Sequence, residues 1–255
     1  MSFDQLLSGL QSGASAQVAG ISRGYGSPAH RTVGAGSGVA RMRCASLLKP
    51  LYAWAAAEHV GDAGFWREHA EPAVLVSSNT DTIALWLSVG PGVLLDTLAA
   101  RTGVRWSPPN GDPSRFGSVE VSAAEVAQVY AVFAQAALAG DRTAETVLTW
   151  MTEVPADQTY GAREAIGAPG AGVKCGWFGG ADEICLRTHA VAVVPGKGAD
   201  VRVVAALTAQ PYPDEREREI YRARVAEGLP VEGEHDRVGG ALLRGLLSLA
   251  YAELG

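Results

Sequence analysis

Residues 41–50 read Arg-Met-Arg-Cys-Ala-Ser-Leu-Leu-Lys-Pro, and the Ser-x-x-Lys pair in this stretch, Ser46 and Lys49, organises the interpretation of the whole chain. The mostly apolar residues 46–59 predict a buried helix. Positions i and i+3 of a helix share one face, so the hydroxyl and the amine are expected to meet. A lysine that loses its proton in a partly buried site can activate a serine as a nucleophile. By itself the pair is also compatible with an ordinary helix start and a solvated lysine.

Two further short motifs follow along the chain. A Ser-x-Asn motif at residues 77–79 precedes the mostly apolar run 83–89, and a Lys-Cys-Gly motif at residues 174–176 follows the Gly-rich stretch 167–173. The order Ser-x-x-Lys, Ser-x-Asn, Lys-x-Gly is the active-site set of the penicillin-recognising serine enzymes. The sequence therefore resembles the class A β-lactamase and penicillin-binding protein superfamily.

The resemblance continues in longer segments and covers the chain from about residue 16 to its end. Residues 77–92 resemble the Ser-Asp-Asn helix of the superfamily and the Gly-Pro turn after it. Residues 105–110 resemble the Trp-Glu-Pro-x-Leu-Asn segment of the class A omega loop, one residue short. Residues 168–176 resemble the approach to the Lys-Thr-Gly strand.

The resemblance also implies a fold and its organisation. The expected fold class is α/β in the α+β sense, with an antiparallel sheet of about five strands flanked by helices, plus an all-helical lobe. One domain is expected to span residues 1–255, with residues 1–45 and 160–255 in an α/β/α lobe and residues 46–159 in the helical lobe. The interval between Lys49 and Ser77 is much shorter than in class A enzymes. Part of the helical lobe is therefore expected to be missing.

Local sequence patterns predict the individual elements. Ser122, with Glu125 three positions later, forms a capping box at a helix start, and Asp141 is the expected N-cap of the next helix. Residues 102–119 are rich in proline and glycine and predict a loop, and residues 24–28 predict a turn between the first two strands. The predicted helices are 1–12, 46–59, 65–69, 80–89, 92–101, 122–139, 141–154, 217–225 and 238–254, with a short helix or turn over 159–166, and the predicted strands are 17–22, 31–35, 173–177, 186–194 and 201–209.

The charged, proline-flanked residues 211–236 look like an insertion relative to the family. A solvated excursion, a partner surface and a lid are the alternatives for this segment.

The resemblance implies a role for each motif residue. Ser46 is the expected nucleophile, and Lys49 accepts its proton directly or through Ser77. Ser77 and Lys174 then deliver a proton to the leaving group, while Asn79 positions Lys49 and an amide of the substrate. The backbone N–H groups of Ser46 and Trp177 form the expected oxyanion hole. The expected substrate-binding residues are Ser107, Asn110, Cys175, Gly176 and Trp177.

Two positions depart from the family pattern. Ser107 stands where class A enzymes carry the omega-loop glutamate that activates water for deacylation, and a serine cannot act as this base at neutral pH. Asp112 is the alternative carboxylate if the loop folds differently, and otherwise a turn residue. Cys175 replaces the usual threonine or serine and removes a strong hydroxyl donor, although a thiol nucleophile is also conceivable there. Acylation of Ser46 is therefore expected to outpace hydrolysis.

Composition limits the class of protein. The chain has 255 residues, enough for a substantial core. Its net charge of −6 gives no basic surface for nucleic acid, and no apolar run reaches the length of a bilayer span. The first residues lack a basic region followed by a sustained apolar core, which argues against a signal peptide. Cys44, Cys175 and Cys185 fit a reducing compartment and show no metal-ligand spacing. We therefore expect a cytoplasmic protein with no cofactor, metal, membrane or nucleic-acid partner.

These observations favour a serine hydrolase or acyltransferase that acts through a Ser46 acyl-enzyme on a small ester, amide or lactam, with poor β-lactam turnover. The alternative is a non-catalytic ligand-binding or regulatory protein on a β-lactamase-like fold. The absent glutamate and Cys175 support the alternative, whereas the presence of all five motif residues favours the enzyme. The natural substrate and the oligomeric state stay open.

Overall fold

A computed structural model describes residues 2–24, 30–178, 186–196, 200–231 and 235–255. A five-stranded antiparallel sheet with the strand order β2-β1-β7-β6-β5 forms its centre, beside a two-stranded sheet of β3 and β4. The strands are β1 (Ser15–Arg23), β2 (His30–Ser37), β3 (Met42–Arg43), β4 (Glu120–Val121), β5 (Gly172–Phe178), β6 (Arg187–Pro195) and β7 (Val201–Ala209). The predicted five-stranded sheet and the α+β class are thus confirmed.

Ten α-helices accompany the sheets in the described ranges. They are α1 (Phe3–Ser8), α2 (Lys49–Ala56), α3 (Ala63–Leu75), α4 (Asn79–Val89), α5 (Pro91–Thr102), α6 (Ala123–Leu138), α7 (Arg142–Glu153), α8 (Ala162–Ile166), α9 (Glu215–Ala226) and α10 (Ala241–Leu254). None of them alone has the length and hydropathy of a membrane span, and α4 with α5 meets that test only as a pair bent by 85°.

Helices cover both faces of the central sheet. On β7, Val203 and Leu207 point to the face covered by α6, whereas Val204 and Ala206 point to the face covered by α10. Successive side chains of a strand alternate between faces, so a strand buried on both sides reads as a continuous apolar run. Helix α1 packs beside α10 on the same face.

The predicted caps form at two of the helices. The Ser122 hydroxyl accepts a hydrogen bond from the Glu125 N–H, and the Glu125 carboxylate accepts one from the Ser122 N–H, which completes the capping box of α6. Asp141 caps α7 and also accepts a hydrogen bond of 2.9 Å from the Trp54 indole. These contacts satisfy N–H groups that a helix start leaves unpaired.

The helix predicted over residues 46–59 is shorter than expected, because α2 begins at Lys49. The Lys49 N–H reaches back only three residues to the Ser46 carbonyl (3.3 Å), and the first four-residue bond joins the Tyr52 N–H to the Leu48 carbonyl (2.9 Å). Pro50 has no N–H and fits the first turn of a helix, where no partner is needed. Ser46 therefore lies in a turn before the helix, and all eight residues of α2 are buried.

One other predicted helix is too short, and a second is confirmed. The helical piece predicted over residues 65–69 belongs to the longer α3, which Asp62 caps. Helix α9 confirms the helix predicted inside the charged insertion. The turn predicted over residues 24–28, apart from Gly24, lies outside the described residues, and so does Cys185.

Candidate active site

Ser46 lies in the tight turn between β3 and α2. The loop of residues 117–119 accepts hydrogen bonds from one side of this turn. The Cys44 N–H donates to the Val119 carbonyl (2.8 Å), and the Ala45 N–H donates to the Gly117 carbonyl (2.9 Å). Ala45 has a φ of 50°, in a region that non-glycine residues rarely occupy. Strained backbone of this kind persists where surrounding contacts hold it, and it collects at functional sites.

Tyr130, on α6, supports the far end of the same turn. Its hydroxyl donates a hydrogen bond of 2.6 Å to the Leu47 carbonyl, and the side chain is fully buried. Burial raises the pKa of the Tyr130 hydroxyl well above its usual value, so it stays a donor. The turn that carries Ser46 is thus fixed to the helix layer behind it.

Removing the Tyr130 hydroxyl tests whether its hydrogen bond stabilises the turn that carries Ser46. We expect Tyr130→Phe to lower the free energy of unfolding by about 1–3 kcal/mol, because the Leu47 carbonyl is left buried without a partner. Urea denaturation measures the change. Tyr251→Phe, in α10 far from the turn, is the control, and an equal loss in both variants would contradict a special role for Tyr130.

Strand β5 approaches the Ser46 turn closely from the opposite side. A Cβ atom at Gly176 would lie 2.9 Å from the Ser46 nitrogen and 2.8 Å from the Leu47 nitrogen. Both distances are too short for a real Cβ, so a side chain here would push two backbones apart. Only glycine permits such an approach, which gives a physical reason for the glycine of the Lys-Cys-Gly motif.

Lys49 is buried and donates to the start of α4. Its Nζ donates to the Ser77 carbonyl, to the Ser77 Oγ at 3.3 Å and to the Asn79 Oδ1 at 2.8 Å. The Phe116 ring lies over the same amine, with 5.1 Å from Nζ to the ring centroid. The predicted positioning of Lys49 by Asn79 agrees with this geometry.

Lys174 reaches the same serine from β5. Its Nζ donates to the Ser77 Oγ at 2.9 Å and to the Cys175 carbonyl at 3.0 Å. Ser77 therefore lies between two buried amines, and it has a positive φ of 57°. The structure brings together groups that lie as much as 97 positions apart in the sequence.

A small polar cluster fixes the start of α4. The Ser78 hydroxyl caps the helix and donates to the Asp81 carboxylate, whose other oxygen lies 2.8 Å from the His69 Nδ1. The hydrogen bond from Ser78, followed by His69, lowers the pKa of Asp81. These contacts fix Ser77 and Asn79, the two neighbours of Ser78 that contact Lys49.

The two lysines have lowered pKa values. Burial is the main cause at both positions, and it lowers the pKa of Lys174 to about 8. At Lys49 the charge of Lys174 adds to burial, and the pKa falls to about 6. No carboxylate of the described residues forms an ion pair with either amine. At neutral pH these values favour a free amine at Lys49 and an ammonium ion at Lys174. As a free amine, Lys49 donates to the Ser77 carbonyl and to Asn79 and accepts from the Ser77 hydroxyl.

A cleft of about 250 Å³ opens in front of these groups. Ser46 lies in it with 9% exposure, and its hydroxyl has no hydrogen-bond partner in the described part of the chain. Trp177 and Phe178 form one wall. The lining residues are Ala45, Ser46, Ser77, Asn79, Arg115, Phe116, Gly117, Ser118, Trp177 and Phe178.

The Cys175 side chain is directed away from the cleft. It points to the opposite face of β5 from Lys174, where the thiol is fully buried and donates to the Thr159 carbonyl at 3.2 Å. Burial raises the pKa of this thiol to about 12. The position does not fit the predicted substrate contact, because side chains alternate along a strand. The protonated thiol also fails to fit a nucleophile.

Ser107 and Asn110 line a neighbouring cavity and do not line the cleft. Their predicted role in substrate binding stays a prediction. Asp112 is exposed and accepts hydrogen bonds from the Ser114 N–H (2.8 Å) and hydroxyl (2.7 Å), which lower its pKa. It caps a loop turn and does not border the cleft, so the turn interpretation fits.

Residues 115–118 form a cleft wall that the sequence analysis missed. Arg115, Phe116, Gly117 and Ser118 all border the cleft, and a Cβ at Gly117 would lie only 3.2 Å from the Ala45 carbonyl oxygen. One signal was present in the sequence, because Phe116 is the only aromatic residue in the stretch 107–118. A lone aromatic in such a loop favours packing against the core.

Comparison with solved structures identifies the fold. A class A β-lactamase from Mycobacterium abscessus aligns with a TM-score of 0.59 and 15% identity, covering 93% of this chain and 94% of that chain. A β-lactamase from Streptosporangium roseum gives 0.59 and 15%, covering 94% and 93%. PBP-A gives 0.59 and 17%, covering 98% and 94%.

No family model and no curated protein matches the sequence. The likeness to solved structures nevertheless spans almost the whole of each chain. The protein has the fold of the class A β-lactamases and PBP-A, and the predicted resemblance is confirmed at the level of that fold.

Proposed function

We propose that the protein is a serine hydrolase or acyltransferase that forms an acyl-enzyme on Ser46. The observation that carries the proposal is the convergence of two buried lysines on Ser77 beside the cleft that holds Ser46. Burying amines without a carboxylate partner lowers stability. Such an arrangement is characteristic of a site where proton transfer matters.

In the proposed reaction the Ser46 oxygen attacks a carbonyl carbon, and its proton passes to the neutral amine of Lys49, directly or through Ser77. The bond to the leaving group then breaks. The leaving group takes the proton from Lys49 through the Ser77 hydroxyl, while the Lys174 ammonium stabilises negative charge on that oxygen. Asn79 keeps Lys49 in place. A small ester, amide or lactam supplies the carbonyl.

The proposed oxyanion hole consists of the backbone N–H groups of Ser46 and Trp177. In an antiparallel strand the backbone N–H and C=O groups of one residue point to the same edge of the strand. Every second residue directs its groups to that same edge. The Cys175 carbonyl accepts from Lys174 at the cleft edge of β5, which supports the same direction for the Trp177 N–H. The close approach at Gly176 brings this edge to the Ser46 nitrogen.

Deacylation is the slow step in this proposal. No carboxylate of the described residues borders the cleft, so water lacks the base that a class A enzyme uses. The same observation favours the second candidate function, a non-catalytic ligand-binding or regulatory protein. The two candidates differ in whether Ser46 becomes acylated.

Intact-protein mass spectrometry separates these candidates. The protein is incubated with a fluorescent penicillin and, separately, with a 4-nitrophenyl ester. A stable adduct that peptide mapping assigns to Ser46 is the expected result. If the mass does not change with either reagent and no nitrophenol is released, the binding-protein candidate is favoured.

The close approach of β5 provides a second test. We expect Gly176→Ala to reduce the acylation rate by about a hundred-fold, because a shift of roughly 1 Å between the strand and the Ser46 turn misplaces the reacting groups. The rate of adduct formation measures the effect. In the control Gly92→Ala the added methyl group meets no atom within 4 Å. An unchanged rate in Gly176→Ala would refute the proposed oxyanion geometry.

A further inference from the structure

A second cavity adjoins the cleft and contains arginine side chains. Its volume is about 370 Å³, and it shares Arg115 and Ser118 with the cleft of Ser46. Arg41 and Arg43 also border it, together with one acidic residue, Glu120. A substrate held at Ser46 can therefore extend from the cleft into a cavity that is rich in guanidinium groups.

The three arginines differ in their intramolecular contacts. Arg41 forms an ion pair with Glu125, and Arg43 also interacts within the chain. The Arg115 guanidinium forms no hydrogen bond or ion pair with any described residue, and the residue is exposed. Its charge acts on Asp112, but the Asp112 carboxylate accepts two hydrogen bonds from Ser114 and forms no ion pair with Arg115 in the described ranges. Arg115 is therefore available to an external anion at the junction of the two cavities.

The charge around the junction is unusual for this chain. The protein has a net charge of −6, yet acidic side chains are absent from the described lining of the cleft. Lys174 is mostly protonated at neutral pH because its pKa is about 8. A cleft lined by one sign of charge concentrates ligands of the opposite sign.

The direction of the acyl group follows from the other walls. In a tetrahedral intermediate the oxyanion faces the N–H groups of Ser46 and Trp177, and the leaving group faces Ser77. The remaining substituent, the acyl chain, is left with two walls of the cleft, one formed by Trp177 and Phe178 and the other by residues 115–118. The wall of residues 115–118 adjoins the arginine-bearing cavity.

We propose that the acyl portion of the substrate carries a carboxylate, which Arg115 binds with help from the Ser118 hydroxyl. The proposal rests on the proposed acylation of Ser46. A planar guanidinium pairs with a carboxylate through two parallel hydrogen bonds. The natural substrate is therefore a small ester, amide or lactam of a dicarboxylic acid that keeps one carboxylate free.

Paired substrates test this substrate class. The mono-4-nitrophenyl ester of glutaric acid carries a free carboxylate on its acyl chain, and the matched glutaramate ester carries a neutral amide of the same size. We expect wild type to prefer the acidic ester, by kcat/KM, and Arg115→Gln to lower that preference by about ten-fold or more, because a charge-assisted pair is lost. Arg115→Lys should keep part of it.

Arg105→Gln is the matched control. Arg105 is exposed, pairs with Asp96 and lies outside both cavities, so the preference should equal that of wild type. The proposal is overturned if Arg115→Gln keeps the wild-type preference. It is also overturned if the substitution affects only an ester with its carboxylate on the leaving phenol.

A binding measurement separates this inference from the proposed acylation. If neither ester labels Ser46 in wild type, the proposed acyl-enzyme is refuted, and titration calorimetry with free glutarate decides on the anion site. Binding by wild type that weakens about ten-fold or more in Arg115→Gln supports the site. No detectable binding by wild type overturns it.

Discussion

Replacing Ser46 with alanine is expected to abolish covalent labelling and to lower ester hydrolysis by at least about a thousand-fold. The variant lacks the hydroxyl oxygen that lies in the cleft between the turn held by Gly117 and the edge of β5 at Gly176. The fold should be kept, because the Ser46 hydroxyl makes no hydrogen bond within the described chain. Mass spectrometry with the fluorescent penicillin and the rate of nitrophenol release measure the two losses.

The control for this experiment is Ser88→Ala. Ser88 is an exposed serine of α4, outside the cleft, and its loss should leave labelling at the wild-type level. An adduct that persists in Ser46→Ala would place the nucleophile elsewhere. The two described cysteines are poor candidates for that role, because burial raises the pKa of Cys44 and of Cys175 to about 12.

The acylation rate is expected to follow a bell-shaped pH profile with limbs near pH 6 and pH 8. Lys49 accepts a proton only as a free amine, so the rate rises as pH increases through its lowered pKa. Lys174 stabilises charge only as an ammonium ion, so the rate falls as pH increases above its own pKa. Both amines contact Ser77 and interact, so the two limbs belong to the pair.

Replacing one lysine at a time shows which amine causes each limb of the pH profile. Lys49→Ala should slow acylation by about 10²–10⁴-fold and remove the acidic limb, because the general base is gone. Lys174→Ala should remove the alkaline limb. The rate of adduct formation, measured at constant ionic strength across the range, gives both profiles. An acidic limb that survives in Lys49→Ala would show that a different group accepts the proton.

The sequence predicts the polar centre of the site well, because each motif has its own local cause. Asn79 begins α4, Ser77 lies just before the cap of that helix, and Lys174 lies on the edge strand β5, so each position is set by secondary structure within a few residues. The order of the motifs matches the family, and this resemblance predicts that Lys174 lies close to Ser77. The spacing of the two residues along the sequence does not by itself predict that contact.

The sequence predicts the start of α2 and the loop wall less well. Ser46 follows the strained Ala45 and lies in a turn before α2, which begins at Lys49. The strain at Ala45 depends on a contact with Gly117, which lies far along the chain. The irregular loop of residues 115–118 takes its position from such tertiary contacts, which periodicity does not encode. The orientation of Cys175 was predictable, because strand alternation places it opposite Lys174.

The scarcity of lysine in this chain has a spectroscopic consequence. The sequence contains three lysines, and Lys49 and Lys174 are two of them. Protein labelled with ¹³C at the lysine ε position will therefore give three signals in that part of an NMR spectrum. Replacing one lysine at a time assigns each signal directly. The protonation of both site amines can then be followed in one titration of the ligand-free protein.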